Sequence, residues 1–256
     1  MANVFFEPGE QRAAKVNNLF SRIASHYDRL NDLQSFGLHR YWKRRVIQLA
    51  CPQPGARALD VCCGTGDLAL ALAERGAEAI GLDFTSQMLA VAAARKSKLQ
   101  APSSNARSDA SPFTRHMPRL AHFIRGDAQR LPFPDNSFEI VTVGYGLRNL
   151  ADWETGLREM QRVAKPGGRL LVLDFGKPDN PFWRAIYFGY LRLFVPCLGL
   201  LFCGNASAYA YILESLKHYP AQRGIAAKMR ELGLVKLQLL NLLGGAMSIN
   251  YGEKPT

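Results

Sequence analysis

A chain of 256 residues that is 48% hydrophobic and 21% charged can build one large core, and it reads as a single domain over residues 1–256. That balance excludes disorder and collagen-like repetition as descriptions of the whole chain. Lys and Arg outnumber Asp and Glu by 32 to 21, a formal charge of +11, which either favours an anionic partner or serves solubility alone.

In chain order, the N-terminal MANVFFEPGEQR lacks a basic start followed by an apolar run, so no secretory signal is expected. Residues 10–50 read as a helical cap ahead of the first strand. Ala56–Cys62 is a compact apolar strand; it is followed by a turn on Gly64 and Gly66 and a helix ending at Gly76. Ala79–Asp83 is a second strand, Ser86–Lys96 a helix, and the polar, breaker-rich segment 97–118 a surface loop. His122–Arg125 and Glu139–Val143 are the third and fourth strands, Trp153–Ala164 an amphipathic helix closed by Pro166-Gly167-Gly168, and Arg169–Phe175 the fifth strand. Residues 56–176 thus alternate strand and helix, the pattern of an α/β fold with a doubly wound, mostly parallel sheet. Residues 177–232 read as a helical insertion. Residues 233–256 supply the last strands, Val235–Leu242 and Ala246–Asn250, joined closely enough for an antiparallel edge hairpin.

Within the insertion only Leu193–Cys203 is both apolar and uncharged, too short to span a bilayer, so a buried or interfacial helix is expected. Cysteines at 51, 62, 63, 197 and 203 match neither a disulfide framework nor a metal-ligand spacing; no metal is expected, and a reducing compartment is. No RNA-recognition or zinc-finger motif accompanies the scattered basic residues, so nucleic acid is not expected as a partner.

The most informative segment is Asp60-Val-Cys-Cys-Gly64-Thr65-Gly66-Asp67, where a strand ends, turns on two residues without Cβ and enters a helix. A dinucleotide turn would carry a third glycine. Here an acid precedes the first glycine by four residues and the third glycine is absent, the version that meets the carboxylate of a nucleoside-methionine. Asp83 closes the second strand, where a carboxylate can accept both ribose hydroxyls; it could equally cap the helix starting near Ser86. Asp127, followed by Ala128, closes the third, placed to receive an adenine amino group while the next N–H meets a ring nitrogen. Three successive strand ends each delivering an acid to one crevice predict S-adenosylmethionine as cofactor and count against hydride transfer.

With these residues in place, the chain resembles the menaquinone and ubiquinone biosynthesis C-methyltransferases over nearly its whole length. The resemblance is carried by Tyr27-Asp28-Arg-Leu-Asn31-Asp32-Leu-Gln-Ser35-Phe-Gly37-Leu-His39-Arg40-Tyr-Trp42, by Leu131–Phe138, by Gly146-Leu-Arg148-Asn149 and by Arg162–Gly168. It implies a seven-stranded class I methyltransferase sheet and cofactor contacts from Thr65, Asp83, Asp127 and Ala128. Gly144 stands where bacterial members often have serine, Leu30 where methionine is common, Asp174 where glutamate is and Gly176 where serine is. The phrases at 81–86, 144–149 and 173–175 resemble the plant and cyanobacterial branch, which methylates 2-phytyl-1,4-naphthoquinol to give phylloquinol. Demethylmenaquinol or a ubiquinone precursor is the alternative acceptor. An RNA methyltransferase is a remote one.

The resemblance further implies a cytoplasmic protein with peripheral contact at anionic lipid, in that branch the thylakoid membrane. Ring-carbon methylation needs the reduced quinol, whose ionised hydroxyl activates the carbon. Arg148 is predicted to stabilise the resulting oxyanion and Asn149 to fix the second ring oxygen; the alternative is a structural turn with Arg148 paired to a carboxylate such as Asp152. His39 and Asp28 are the candidate bases, although Asp28 could cap a helix and His39 could pack on Trp42. The aromatic residues of the insertion, from Phe182 to Phe202, either line a prenyl channel, rest at a lipid surface with Arg184 and Arg192 near headgroups, or form plain core.

Overall fold

The computed structural model describes residues 10–24, 27–100, 121–203 and 207–256. Three helices come first: α1 (Glu10–Ile23), α2 (Tyr27–Ser35) and α3 (Leu38–Ala50). The alternating core follows as β1 (Arg57–Val61), α4 (Asp67–Glu74), β2 (Glu78–Asp83), α5 (Ser86–Gln100), β3 (His122–Arg125), β4 (Phe138–Gly144), α6 (Trp153–Val163) and β5 (Ala164–Phe175). Helices α7 (Pro181–Cys203), α8 (Ser207–His218) and α9 (Ala221–Glu231) precede β6 (Val235–Leu242) and β7 (Met247–Glu253).

The seven strands lie in the order β3-β2-β1-β4-β5-β7-β6. Strands β1 to β5 are mutually parallel, and β7 runs antiparallel between β5 and β6. This is the mostly parallel, doubly wound sheet expected, with the hairpin at its edge. Its central strands are apolar almost throughout because helices cover both faces. Side chains alternate between two cores: Leu59, Val141, Val143, Leu170 and Val172 face one side, Ala58, Ile140, Leu171 and Leu173 the other. Helix α6 lays Leu157, Met160 and Val163 on the first core and is capped by Asp152, whose side chain accepts from the N–H groups of Glu154 and Thr155.

Three departures from expectation bear on the architecture. Strand β5 begins at Ala164 rather than Arg169, because Ala164 pairs with Phe138 across a bulge and Gly167, at φ +74°, lets the Pro-Gly-Gly turn stay bonded to Lys254. Ser97–Gln100 belong to α5, while the rest of the polar segment 97–118 lies outside the described residues. Helix α9, read as part of the insertion, packs on β5, β6 and β7 and so forms part of the layer covering the sheet. Among the described residues no helix is long and apolar enough to cross a membrane.

The N-terminal cap is tied to the core by charge. Asp67, at the start of α4, forms ion pairs with Lys43 of α3 and with Arg95 of α5. Burial raises its pKa, but the two cations more than offset that and hold it at about 2. A carboxylate depressed on folding contributes stability that is fully present above its unfolded pKa near 4 and is lost as pH falls toward 2. Asp67→Asn is therefore expected to lower unfolding free energy by roughly 2 kcal/mol at neutral pH, with the gap to wild type closing on acidification from pH 5. Urea titrations of both proteins at a series of pH values measure this, and a gap independent of pH would refute it.

Candidate active site

Because β1 to β4 are parallel, their carboxyl ends share one edge, and the strand order reverses between β1 and β4, where a crevice opens. Here a cavity of about 120 Å³ is lined by Cys62, Gly64, Asp83, Phe84, Asp127, Ala128, Gly144, Gly146 and Asn149, with Val16, Asn17 and Phe20 of α1 forming one wall. Asp83 is 9% exposed; one carboxylate oxygen accepts the Gly64 N–H and the other the Thr85 N–H, both at 2.8 Å. Burial pushes its pKa up, against the pull of those N–H groups. Each oxygen retains acceptor capacity for a hydroxyl donor. Asp127 stands at the next strand end, its carboxylate accepting from the Gln129 N–H at 2.9 Å. Two acids on adjacent strand ends, walls at Gly64, Gly126, Gly144 and Gly146 that carry no side chain, and a buried Asn17 Oδ1 with no partner among the described residues fit a nucleoside with a diol and an exocyclic amine.

Other residues predicted at this turn lie behind it. Asp60 is 2% exposed, accepts the Thr142 hydroxyl at 2.8 Å and does not line the cavity. Burial raises its pKa to about 7, opposed by the Thr142 hydrogen bond, Lys43 and the Ala69 N–H. Its position is that of a strut between β1 and β4. Thr65 donates to Asp28 at 2.8 Å, and Gly66, at φ +84°, faces Phe123, which a Cβ there would approach to 2.7 Å. Neither lines the cavity. Asp28 also pairs with Arg95 at 3.2 Å, so it joins the cap to the turn.

A second cavity, of about 280 Å³, lies between the cap and α7. Phe20, Tyr27 and Tyr145 line both cavities, so the two meet at a shared wall. The lining is largely apolar, with Leu30, Trp42, Phe175, Trp183, Tyr187 and Leu191 prominent, but it includes His39 and Arg148. Of the aromatic residues expected to line a channel, Trp183, Tyr187 and Tyr190 do; Phe188 packs on the core, Phe182 and Phe194 are exposed, and the Phe202 side chain lies outside the described residues.

Arg148, on a single turn of 3₁₀ helix after β4, is 6% exposed. It pairs with Asp174 at the end of β5, not with Asp152: Nη1 lies 2.8 Å from Asp174 Oδ1 and donates to the Tyr145 carbonyl at 2.6 Å, while the guanidinium sits 4.6 Å over the Phe175 ring. Burial pushes the Asp174 carboxyl up, opposed by Arg148 and the Phe175 N–H. Asn149 donates to the Tyr145 carbonyl at 3.2 Å and lines the smaller cavity only. Arg148 and Asn149 therefore flank the shared wall from opposite cavities. His39 is 4% exposed; burial, then Lys43, pull its pKa below the usual value, against Asp32 and Asp67.

Sequence reasoning overlooked Tyr145 and Cys62 as residues of the site. Tyr145 holds φ +62° and Cys62 φ +54°, left-handed conformations costing about 1 to 3 kcal/mol each for such residues. The Tyr145 and Tyr187 hydroxyls are buried with no hydrogen-bond partner among the described residues. A tyrosine in a glycine-flanked turn was the available signal. Burial and the neighbouring Asp83 push the Cys62 thiol well up, so it is no nucleophile.

The chain is 38% identical over 251 residues to "Ubiquinone/menaquinone biosynthesis C-methyltransferase UbiE" of Ectopseudomonas mendocina, covering 97% of this chain and 92% of that protein. It is 39% identical over 251 residues to "Demethylmenaquinone methyltransferase" of Desulfitobacterium hafniense, covering 96% and 92% respectively. The solved structure of a SAM dependent methyltransferase from Aquifex aeolicus shares the fold at a TM-score of 0.57 and 14% identity, over 88% of this chain and 97% of that one. Residues 9–254 match the description of one family, and together with these relatives this places the protein: it belongs to the ubiE/COQ5 methyltransferase family and is a methyltransferase that uses S-adenosylmethionine.

Proposed function

We propose that the protein methylates a ring carbon of a prenylated 1,4-naphthoquinol. The observation carrying this reading is the shared wall at Phe20, Tyr27 and Tyr145, which sets a nucleoside crevice against an apolar cavity containing Arg148 and His39. The cofactor supplies an electrophilic methyl group; Asp83, Asp127, Ala128 and the Gly64 turn would hold it, with Asp60, Thr65 and Gly66 shaping that turn from behind. The protein's task is to make the acceptor carbon nucleophilic and to align it. Arg148, fixed by Asp174, the Tyr145 carbonyl and the Phe175 ring, favours the quinolate by charge; it does not accept a proton, because guanidinium keeps its own. Asn149 faces the other side of the same wall, where it would meet the bound cofactor's neighbourhood rather than a distant ring oxygen.

The named relatives support demethylmenaquinol as acceptor. The phrases at 81–86, 144–149 and 173–175 favour the phytylated naphthoquinol within the same class. The tail would leave past Phe36, Leu38, Ile186 and Leu243, which line the larger cavity and are exposed. With Arg184 and Arg192 exposed on α7, that rim suits the surface of an anionic bilayer holding the substrate. The test is product analysis with reduced 2-phytyl-1,4-naphthoquinone, reduced demethylmenaquinone and a ubiquinone precursor in anionic and in neutral vesicles. Ring-methylated naphthoquinols, formed from the reduced substrates only and faster on anionic vesicles, are expected. Turnover of the oxidised quinones, or of the ubiquinone precursor alone, would overturn the assignment.

A further inference from the structure

Ser35 and His39 face each other across the junction of α2 and α3, and counting their protons assigns a tautomer. The Ser35 hydroxyl has one proton and lies 2.5 Å from the Asn31 carbonyl oxygen, which can only accept it. The Ser35 hydroxyl oxygen in turn accepts the His39 backbone N–H at 3.2 Å. It also lies 3.0 Å from His39 Nδ1. With its proton spent on Asn31, Ser35 can meet Nδ1 only as an acceptor, so Nδ1 carries the ring hydrogen. Asp32 Oδ1, 3.7 Å from Nδ1, favours the same arrangement. The lone pair is then on Nε2, which takes no hydrogen bond from any described residue, on a side chain lining the larger cavity.

We propose that His39 Nε2 receives the proton of the quinol hydroxyl and that Ser35 is the positioning residue that holds the imidazole in the tautomer able to do so. This rests on reading the larger cavity as the quinol site. Asp28, the other candidate, is committed to Thr65 and Arg95 and does not line that cavity. The charges around the ring are Asp32 on α2, Arg40 and Lys43 on α3 and Asp67 on α4; burial and Lys43 lead in keeping the imidazole neutral, the form that can accept a proton. In the step itself the O–H bond breaks and an N–H bond forms on Nε2, leaving quinolate and imidazolium. The ring carbon then takes the methyl group, the carbon–sulfur bonding pair going to sulfur. The ring C–H proton leaves to water, its bonding pair restores aromaticity, and the imidazolium returns its proton to the ring oxygen. One proton is released for the one sulfonium charge consumed.

The test combines turnover with the long-range ¹H–¹⁵N spectrum of histidine-labelled full-length protein, the His39 signals being assigned by their loss in His39→Gln. The expected wild-type spectrum is a neutral His39 protonated at Nδ1. Ser35→Ala should give mixed tautomers and a roughly tenfold fall in kcat at unchanged KM, whereas Ser35→Thr, which keeps the hydroxyl, should recover the tautomer and most of the turnover. His39→Gln should lower kcat by about 10²- to 10⁴-fold while cofactor affinity, read by calorimetry, stays as in wild type. A wild-type His39 protonated at Nε2 would overturn the role of Ser35, and a His39→Gln protein with near wild-type kcat would overturn that of His39. If wild type itself does not methylate naphthoquinols, the substrate reading has failed, and the spectrum still decides the Ser35 contact.

Discussion

Arg148→Ala is expected to lower kcat on the naphthoquinol by roughly 10²- to 10³-fold, the scale seen when a preorganised donor to a developing oxyanion is removed. The substitution also strips Asp174 of its partner in a site where both side chains are at most 5% exposed. An uncompensated buried charge costs about 3 to 5 kcal/mol, so the single variant confounds catalysis with folding. Replacing both members, as Arg148→Met with Asp174→Leu, removes the charge from the site altogether. Such paired apolar replacements are often neutral in stability. The double variant is expected to melt close to wild type and to remain as inactive as Arg148→Ala. Arg148→Lys should recover little, because an ammonium cannot reproduce the planar contacts to Asp174, the Tyr145 carbonyl and the Phe175 ring at once. Full turnover by the stable double variant would remove Arg148 from the chemistry.

The second large effect belongs to Asp83. Asp83→Asn is expected to weaken S-adenosylmethionine binding by roughly 10²-fold or more in calorimetric titration, since two charge-assisted hydrogen bonds to a ribose diol are worth about 1.5 to 3 kcal/mol each. The amide adds a structural penalty. Both carboxylate oxygens already accept backbone N–H groups, from Gly64 and Thr85. An NH₂ in place of either oxygen sets donor against donor and opens the glycine turn. Burial raises the Asp83 pKa, so its carboxylate protonates at higher pH than an ordinary aspartate, and wild-type affinity should fall on acidification before that of a solvent-exposed acid would. A Kd for Asp83→Asn within threefold of wild type would mean that the carboxylate serves the turn and not the ligand.

Much of the fold was legible because its signals are local. Apolar runs such as ALDV and IVTV, separated by helices of period 3.6, can be buried on both faces only in a parallel sheet. Parallel strands all end at one edge, so acids at strand ends converge wherever the order reverses, and this is how Asp83 and Asp127 could be placed together. Asp60 shows the limit of that logic. It occupies β1 itself, and alternation turns its side chain into the sheet layer toward Thr142 rather than out of the edge. Thr65 and Gly66 stand behind the turn for reasons of packing that no local pattern carries: Thr65 donates to Asp28 of the cap, and Gly66 faces Phe123 of β3.

From the sequence alone came what nearest neighbours and strand direction dictate: the doubly wound sheet, the glycine turn, and the acids at the ends of β2 and β3. Contacts between segments far apart in the chain have no period to betray them, and these were settled only by tertiary packing. Arg148 and Asp174 are 26 positions apart, and nothing in their spacing selects that partner over Asp152, which instead caps α6. The larger cavity exists because α1, α2 and α3 from one end of the domain close against α7 from the other, trapping Tyr145 between two spaces. Burial there costs an ion unless another charge or hydrogen bond meets it, and that energetic demand, satisfied across the fold, decided which side chains could be used for chemistry.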